Sequence, residues 1–206
     1  MQFSARRSFS LSFVRLALAA LVTLATTAMA AQEKRPPAAL WKQLESRPAI
    51  VEGRAVAPKT IYVFMDANCP FCTKFWSDAR PWVDGGKVKL RYLMIGILTP
   101  TSLGKAAAIL ADKDPTQALA AHERAHIPES ATTLATGDPQ PLGERGLQPL
   151  ARIPPAIRTQ LEANRKLMAA FGIEGTPGLV WRDDAGAVHA RSGAPASALP
   201  SILGPR

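Results

Sequence analysis

The sequence predicts an α/β domain in which a β–α–β unit, a group of helices and a β–β–α unit follow one another. The first unit rests on an apolar, β-rich run from Lys59 to Asp66, which is typical of a central strand. Amphipathic and alanine-rich segments fill residues 101–171 and predict helices. Two short β-rich runs, 178–181 and 187–190, flank the turn sequence Asp-Asp-Ala-Gly at 183–186, which predicts a hairpin near the C-terminus.

The first 30 residues have the parts of a cleavable signal peptide. Arg6, Arg7 and Arg15 supply the positive charges, and residues 16–30 form an apolar run that is short for a membrane span. An uncleaved anchor is the alternative, which the shortness of that run disfavours. The run ends in the A-x-A cleavage sequence at 28–30, so we expect an exported protein whose mature chain begins at residue 31.

The charge balance does not favour a nucleic-acid partner. The 206 residues include 25 Lys and Arg against 16 Asp and Glu, a formal charge of +9, and part of this excess lies in the signal peptide. The sequence has no basic stripe interleaved with aromatic residues, which a nucleic-acid surface would need. We expect no nucleic-acid partner, and the length leaves room for one domain after the signal peptide.

Residues 31–58 are predicted to be a short N-terminal segment. Within it, residues 38–45 can form two turns of an amphipathic helix, the remnant of a linker helix, before proline and glycine residues interrupt the pattern. The folded domain is then expected to span residues 59–206, with a helical insertion at about 101–171.

The order of the remaining elements is that of a thioredoxin-like fold with a helical insertion. Asp114 and Pro115 are an N-cap and a first-turn proline, and Gly172 is a natural residue to follow the last helix of the insertion. We predict a helix from Cys69 to about Arg80, which Pro81 kinks or ends, and a strand at 87–95. Further helices are predicted at 103–112, with Ser102 as the cap, from 115 to about 126, and at 155–171. Residues 127–155 are predicted to be a surface loop, and a last short helix is predicted within 195–203.

Cys69-Pro70-Phe71-Cys72 contains the only two cysteines of the chain. The pair stands where a strand gives way to a helix N-terminus, and the N–H groups and dipole of that terminus favour a thiolate. We predict that Cys69 is an exposed nucleophile of low pKa and that Cys72, one turn further in, resolves the mixed disulfide. Pro70 and Phe71 are expected to tune the thiolate. A structural disulfide is the alternative, but so short a loop would restrain the unfolded chain little.

Thr176 and Pro177 are the second candidate part of the site. Between a helix end and a strand of the predicted fold, we expect a cis peptide bond that leaves the Thr176 backbone free to pair with an extended substrate. Asp66, three residues before Cys69, is expected either to tune the thiol or to be a solvated turn residue. Asn68 is expected to be a turn residue.

The segment 122–126 spells H-E-x-x-H, the signature of a zinc protease. In that alternative Glu123 is the base and Glu144 is a third ligand. A structural zinc site made of the two histidines and the two cysteines is another alternative, but its spacing is far from that of a zinc finger. Since Pro128 is expected to end the helix at once, we predict two solvated histidines, no metal site and no cofactor.

With these residues in place, the chain resembles the DsbC/DsbG group of periplasmic thiol–disulfide interchange proteins, and its DsbG branch in particular. The resemblance covers residues from about Leu40 to the C-terminus. It is carried by Val63-Phe-Met-Asp66, Asn68-Cys-Pro-Phe-Cys72, Phe75-Trp76, Ala79-Arg-Pro-Trp-Val-Asp84, Gly86-Lys-Val-Lys-Leu-Arg91, Ala106-Ala-Ala-Ile-Leu-Ala111, Lys113-Asp-Pro115, Asn164, Lys166-Leu-Met168 and Thr176-Pro177.

The resemblance implies a periplasmic location, a cis bond before Pro177, a nucleophile at Cys69, client proteins with cysteines and a membrane-bound thiol reductant. Two features depart from the group. Phe71 stands where the relatives usually have Tyr, which is expected to change little. The group also carries an N-terminal dimerisation domain, for which residues 31–58 are too few, so a monomer is expected.

The predicted function is that of a periplasmic thiol–disulfide oxidoreductase, which reduces or isomerises protein disulfides through Cys69 and Cys72, with sulfenic acids as a further expected substrate. The alternative is a chaperone-like module that binds peptides in an apolar groove and has secondary redox activity. The zinc protease is the remote alternative.

Overall fold

The computed structural model of the chain describes residues 38–206. The predicted signal peptide and residues 31–37 of the N-terminal segment lie outside the described residues. The helices and strands are α1 (Ala38–Glu45), β1 (Ile50–Glu52), β2 (Lys59–Asp66), α2 (Pro70–Asp78), α3 (Arg80–Asp84), β3 (Val88–Ile95), α4 (Ser102–Ala111), α5 (Pro115–Ala135), α6 (Pro155–Ala170), β4 (Gly178–Arg182), β5 (Val188–Ser192) and α7 (Leu199–Leu203), with a 3₁₀ turn at Ala196–Ala198.

The strands form one five-stranded mixed sheet in the order β1-β3-β2-β4-β5. Strand β2 is the middle strand and pairs parallel to β3, with Lys59 opposite Val88 and Asp66 opposite Ile95. Strands β4 and β5 are the predicted hairpin, and β4 pairs antiparallel to β2. The predicted strand from Lys59 to Asp66 is therefore the central strand of the sheet, and its C-terminal end leads directly to the cysteine pair.

Side chains of the central strands alternate between two apolar clusters, one on each face of the sheet. In β2, Ile61, Val63 and Met65 belong to one cluster, whereas Tyr62 and Phe64 belong to the other. This is the period of two that a strand imposes. Helices α2 to α5 and α7 contribute to the first cluster, and α1 and the second half of α6 contribute to the second. Both faces of the sheet are thus covered, as an apolar run such as β2 requires.

Strand β1 was not predicted from the sequence. It has three residues and pairs antiparallel to β3, with Ile50 opposite Tyr92 and Glu52 opposite Leu90. So short a strand carries no clear periodicity, because its position depends on pairing with a distant segment rather than on its own pattern.

The helix that follows the cysteines is divided in two. Helix α2 ends at Asp78, and Ala79 is both its C-cap and the N-cap of α3, in which Pro81 occupies the first turn. The predicted break near Pro81 is therefore present. Pro81 begins a new helix there, since a missing N–H is harmless in a first turn.

The prediction that α5 ends near residue 126 is wrong. The helix begins as predicted, with the Asp114 side chain accepting a hydrogen bond from the N–H of Gln117 at 3.0 Å, but it continues through Pro128 to Ala135. An interior proline disfavours a helix by about 3 kcal/mol. Tertiary contacts of the second half oppose this cost, among them the buried Ser130, whose hydroxyl donates to the carbonyl of Pro70 at 2.7 Å.

Candidate active site

Cys69 is the N-cap of α2, and Pro70 occupies the first turn of this helix. The Cys69 sulfur accepts a hydrogen bond from the backbone N–H of Cys72 at 3.3 Å. Cys72 lies one turn into the helix and is fully buried, and both residues are free thiols. The strand–turn–helix arrangement predicted for the pair is therefore present, and it points the free N–H groups of the first turn toward Cys69.

The pKa values of the two thiols are shifted in opposite directions. The pKa of Cys69 is lowered because the Cys72 side chain donates a hydrogen bond to its sulfur, and the Thr176 side chain and the Cys72 N–H add to this against the effect of burial. The pKa of Cys72 is raised well above its ordinary value, first by burial and then by its hydrogen bond to Cys69. A thiolate is thus favoured on Cys69 and a protonated thiol on Cys72.

The prediction that Cys69 is exposed is wrong. The residue is 2% exposed, whereas Phe71, between the two cysteines, is 48% exposed. The loop before β4 covers Cys69 in part, since the carbonyl oxygen of Thr176 lies 3.3 Å from the Cys69 sulfur. Phe71 therefore forms the outer surface of the motif.

The Thr176–Pro177 peptide bond is cis, as the sequence predicts. It immediately precedes β4, and the Pro177 carbonyl accepts a hydrogen bond from the N–H of Gly193 at 2.8 Å, which connects it to the end of β5. This cis peptide bond lies beside the cysteine pair, because Thr176 contacts Cys69. Pairing of the Thr176 backbone with a substrate strand stays a prediction.

Asp66 is not a solvated turn residue, since it is 1% exposed. One carboxylate oxygen accepts hydrogen bonds from the Asn68 N–H at 2.9 Å and the Ser102 hydroxyl at 2.7 Å. The other accepts from the N–H groups of Ile97 and Leu98 at 2.7 and 3.1 Å. Asp66 thus ties the end of β2 to the segment after β3. Its charge opposes the lowering of the Cys69 pKa.

Ser102 was predicted to cap α4, but its hydroxyl has a different role. The helix begins at Ser102 itself, with Thr101 as the N-cap residue and no side-chain capping bond. The Ser102 hydroxyl donates to Asp66 and accepts from the N–H of Thr99 at 3.1 Å. It therefore belongs to the polar network below the cysteines.

Sequence reasoning missed the role of Asn68 and did not consider Lys105. Both are fully buried, and the Lys105 ammonium donates to the Asn68 side-chain oxygen at 2.8 Å and to the Gly143 carbonyl at 2.8 Å. The Asn68 amide nitrogen donates to hydroxyls at the start of α4. A buried ammonium needs such partners, and here they lie 37 and 38 residues away in sequence. The one local signal was a lysine inside the apolar run of α4.

The two histidines of the H-E-x-x-H segment are buried, so the prediction of solvated histidines is wrong. His122 Nε2 lies 2.6 Å from the carbonyl oxygen of Ala67, and His126 Nδ1 lies 2.8 Å from the carbonyl oxygen of His122. Glu144 is instead exposed, where it accepts a hydrogen bond from the Thr101 hydroxyl and contacts the ammonium of the buried Lys105. Within residues 38–206, no group of three or more His, Cys, Asp or Glu is placed to hold a metal ion. The geometry therefore does not support the zinc-protease alternative.

Three residues of the insertion hold the carbonyl groups of the active-site turn. The oxygen of Ala67 faces His122, the oxygen of Asn68 accepts from the N–H of Leu142 at 2.8 Å, and that of Pro70 accepts from Ser130. The turn that carries Cys69 is thus fixed by the insertion as well as by the sheet.

Glu123 is a further residue whose position sequence reasoning missed. It is 1% exposed, and its Oε2 accepts a hydrogen bond from the hydroxyl of Thr73, the neighbour of Cys72, at 2.6 Å. Burial raises the pKa of this carboxyl to about 8, against the opposing effect of Thr73. Near neutral pH this carboxyl is therefore mostly protonated, and its ionised fraction grows as the pH rises toward 8.

An apolar recess of about 390 Å³ opens beside Phe71. It lies between the cysteine helix, the end of α5 and the segment after β5, and most of its lining is apolar. The lining residues are Phe71, Lys74, Leu134, Gly193, Ala194, Pro195 and Ala196.

This sheet, with a dithiol at the N-terminus of the helix after its central strand and a cis-proline loop beside it, defines a protein of the thioredoxin fold. The chain belongs to the thioredoxin family, whose pattern (Thioredoxin_4) matches residues 45–185. It is 44% identical over 168 residues to the thiol:disulfide interchange protein DsbG of Pseudomonas aeruginosa, an alignment that covers 81% of this chain and 59% of the relative. The protein of the same name from Escherichia coli is 37% identical over 142 residues, or 69% of this chain and 51% of the relative.

Solved structures agree on the fold. The catalytic domain of Proteus mirabilis ScsC has a TM-score of 0.58 at 19% identity and covers 81% of this chain and 93% of that domain. A periplasmic thioredoxin-like protein from Salmonella enterica has a TM-score of 0.60 at 18% identity, with 82% and 97% covered. The predicted thioredoxin-like fold and the relation to DsbG are confirmed. The chain spans between half and three fifths of the length of the two curated relatives.

Proposed function

We propose that the mature chain is a thiol–disulfide oxidoreductase of the periplasm. The observation that carries this proposal is the position of the Cys69 sulfur, which caps α2 and accepts the Cys72 N–H at 3.3 Å. The opposite pKa shifts of the two thiols support it, because a nucleophile must be ionised and a resolving thiol must stay protonated until it acts.

In the proposed reaction the Cys69 thiolate attacks a client disulfide, forms a mixed disulfide and expels one client thiolate. The Cys72 sulfur then loses its proton, attacks Cys69 and expels the second client sulfur. The client disulfide gains two electrons and the pair becomes a disulfide. A sulfenic acid would react in the same way, with water as the first leaving group. A membrane-bound thiol reductant would return the pair to its dithiol form.

Client recognition is proposed to use Thr176 and the apolar recess beside Phe71. The Thr176 carbonyl is already directed at the reacting sulfur, at 3.3 Å, so a client strand that paired with this backbone would lie along Cys69. The recess, at about 390 Å³, has room for an apolar side chain near the client cysteine. Protein clients with cysteines fit this arrangement.

The experiment is to trap the mixed disulfide. Purified Cys72→Ser protein is mixed with an oxidised peptide that contains one disulfide, and the product is analysed by intact mass. We expect one peptide attached to Cys69, whereas Cys69→Ser protein, the matched control, forms no adduct. An adduct on neither variant, or an equal adduct on Cys72 in the control, would contradict the roles assigned to Cys69 and Cys72.

Export is proposed to depend on residues 1–30. Among residues 38–206 no helix is long and apolar enough to cross a membrane. Expression of the full chain in a Gram-negative host, followed by osmotic release and mass analysis, is expected to give a protein that begins at Ala31. Retention of the full-length chain in the membrane fraction would contradict this. Sedimentation of the released protein tests the separate prediction of a monomer.

A second candidate function is a chaperone-like binding module with secondary redox activity. The half-exposed Phe71 and the recess beside it favour this candidate, because together they offer an apolar surface. Suppression of the aggregation of a cysteine-free client measures it. If the Cys69→Ser protein protects such a client as well as the unmodified protein does and Phe71→Ser does not, binding is independent of redox chemistry.

A further inference from the structure

Three buried carboxyl groups surround the cysteine helix, and they differ in how their oxygens are used. Asp66 accepts hydrogen bonds from two backbone N–H groups on one oxygen and from a backbone N–H and a hydroxyl on the other. Glu52 accepts from Trp76, Arg80 and Tyr92. Each of these two carboxylates therefore has at least three hydrogen-bond donors.

Glu123 lacks such a set of donors. Among the residues the structure describes, only the Thr73 hydroxyl donates to it, on Oε2, and its Oε1 has no hydrogen-bond donor there. The side chain is nevertheless 1% exposed. Because burial with one donor raises its pKa to about 8, this carboxyl exchanges its proton near neutral pH, which is the property that a proton acceptor in catalysis needs.

Glu123 contacts the cysteine helix directly through Thr73, and its charge is coupled to both sulfurs. Thr73 directly follows Cys72 in α2, and α5 packs against α2 at this point through the bond between Glu123 and Thr73. A charge on Glu123 raises the pKa of Cys72, and a charge on Cys69 raises that of Glu123. The charged groups that act on Glu123 come from the neighbouring elements and are Cys69 of the α2 cap, Glu52 of β1 and Asp66 of β2.

We propose that Glu123 accepts the proton that the Cys72 thiol loses when its sulfur attacks the mixed disulfide on Cys69. This inference rests on the proposed function. In this step the Cys72 sulfur attacks the Cys69–client disulfide, and the proton of the Cys72 thiol passes to the Glu123 carboxylate. The products are the Cys69–Cys72 disulfide, a client thiolate and the Glu123 carboxylic acid. One S–S bond forms, one breaks, and the proton stays on Glu123 until solvent removes it.

The acid comes from the helical insertion rather than from the sheet. Position 123 is part of the H-E-x-x-H segment, whose first histidine holds the carbonyl of Ala67. One turn of α5 therefore contacts the chain just before Cys69 through His122 and just after Cys72 through Glu123. This placement gives the segment a role that does not require a metal.

The test separates the two steps with dithio-bis-nitrobenzoate, an aromatic disulfide whose thiolate product is coloured. Attack by Cys69 releases one coloured thiolate and attack by Cys72 releases a second. In Glu123→Gln, which keeps the shape of the side chain, we expect the first release to change by less than about two-fold and the second to slow by about 10- to 100-fold at pH 7. The pH profile of the second release should also lose the rise toward pH 8 that Glu123 causes.

Two variants complete the comparison. Glu123→Asp keeps a carboxyl and should recover part of the rate of the second step. Glu129→Gln removes a partly exposed carboxyl from the same helix, one that accepts from the N–H of Gly143, and should leave both releases unchanged. A second release that is as fast in Glu123→Gln as in Glu129→Gln, with the same pH profile, overturns the proposal.

Failure of the proposed function has a different signature, since then even the unmodified protein gives no rapid first release. Should Glu123→Gln not fold, Thr73→Val is used instead. Thr73 lowers the pKa of Glu123, so its loss should move the pH profile of the second release upward while the first release stays the same. An unmoved profile in Thr73→Val overturns the proposal as well.

Discussion

The ammonium of Lys105 lies 2.8 Å from the side-chain oxygen of Asn68, the residue that precedes Cys69. Lys105 is on α4 of the insertion and is fully buried, so its charge is stabilised by the Asn68 and Gly143 oxygens and by Glu144 at 3.4 Å. This contact fixes the turn before the nucleophile from the side of the insertion.

Replacement of Lys105 by Met should destabilise the protein. The change leaves the Asn68 and Gly143 oxygens without this donor, and each unpaired buried group costs about 1–3 kcal/mol. Urea denaturation should therefore show a free energy of unfolding lower by at least about 1 kcal/mol. The control Lys113→Met alters an exposed lysine just beyond α4 and should change the free energy of unfolding by less than about 0.5 kcal/mol. Equal stability of the two variants would contradict the importance assigned to Lys105.

The acidity of Cys69 should depend on the side chain at position 72. The hydrogen bond from Cys72 is the largest cause of the lowered Cys69 pKa. Cys72→Ala removes this donor, whereas Cys72→Ser keeps a hydroxyl in its place. The ultraviolet absorbance of the thiolate, followed against pH, should give a higher pKa for Cys69 in the alanine variant than in the serine variant. Identical titrations would show that the Cys72 backbone N–H and Thr176 are enough to lower the pKa of Cys69.

His122 should make the protein less stable in acid. Burial lowers its pKa from 6.5 to about 4, so the folded protein binds this proton less tightly than the unfolded chain does. Stability from this group is complete above pH 6.5 and is lost as the pH falls toward 4, by at most about 3 kcal/mol. Lys105 and His126, which face His122, act in the same direction.

The measurement for His122 is urea denaturation between pH 7 and pH 4 of the unmodified protein and of His122→Gln. Glutamine can still donate to the Ala67 carbonyl but does not titrate. The difference in stability between the two proteins should therefore shift in favour of the variant as the pH falls. His189→Gln, a change at the partly exposed histidine of β5, is the control. A difference that stays constant with pH would contradict the lowered pKa.

The two tyrosines of the chain should ionise above their ordinary range. Burial raises the pKa of Tyr62 above 10, and burial together with Glu52 raises that of Tyr92 well above it. Ultraviolet absorbance of tyrosinate should therefore stay low at pH 10 in the folded protein and rise only at higher pH, with Tyr92 ionising last. Tyr92→Phe should remove the later part of the rise. Half ionisation of both residues at pH 10 would contradict the buried network around Glu52.

Elements defined by local pattern were predicted well. The bounds of β2, the N-cap Asp114, the hairpin β4–β5 and the helix α6 with Gly172 beyond its end all follow from short-range periodicity or from turn and cap residues. The cysteine pair at a helix N-terminus was visible for the same reason, since strand, motif and helix are contiguous.

The errors involve contacts between distant segments. Pro128 lies inside α5 because tertiary contacts such as that of Ser130 with Pro70, 60 residues away, oppose the local preference. The burial of His122 and Glu123 was missed because α5 has no apolar stripe that would mark its buried side. Their partners, Ala67 and Thr73, are 55 and 50 residues away, beyond any local pattern.

Three carbonyl groups in the turn around Cys69 have their hydrogen-bond partners in the insertion, from His122, Ser130 and Leu142. A minimal scaffold in which a linker replaced residues 101–171 would retain the sheet and both cysteines, yet it would lose all three partners. For protein engineering, the insertion is thus not a detachable module. Transplanting the four-residue motif alone into a smaller domain would transfer the sulfur atoms without the frame that orients them.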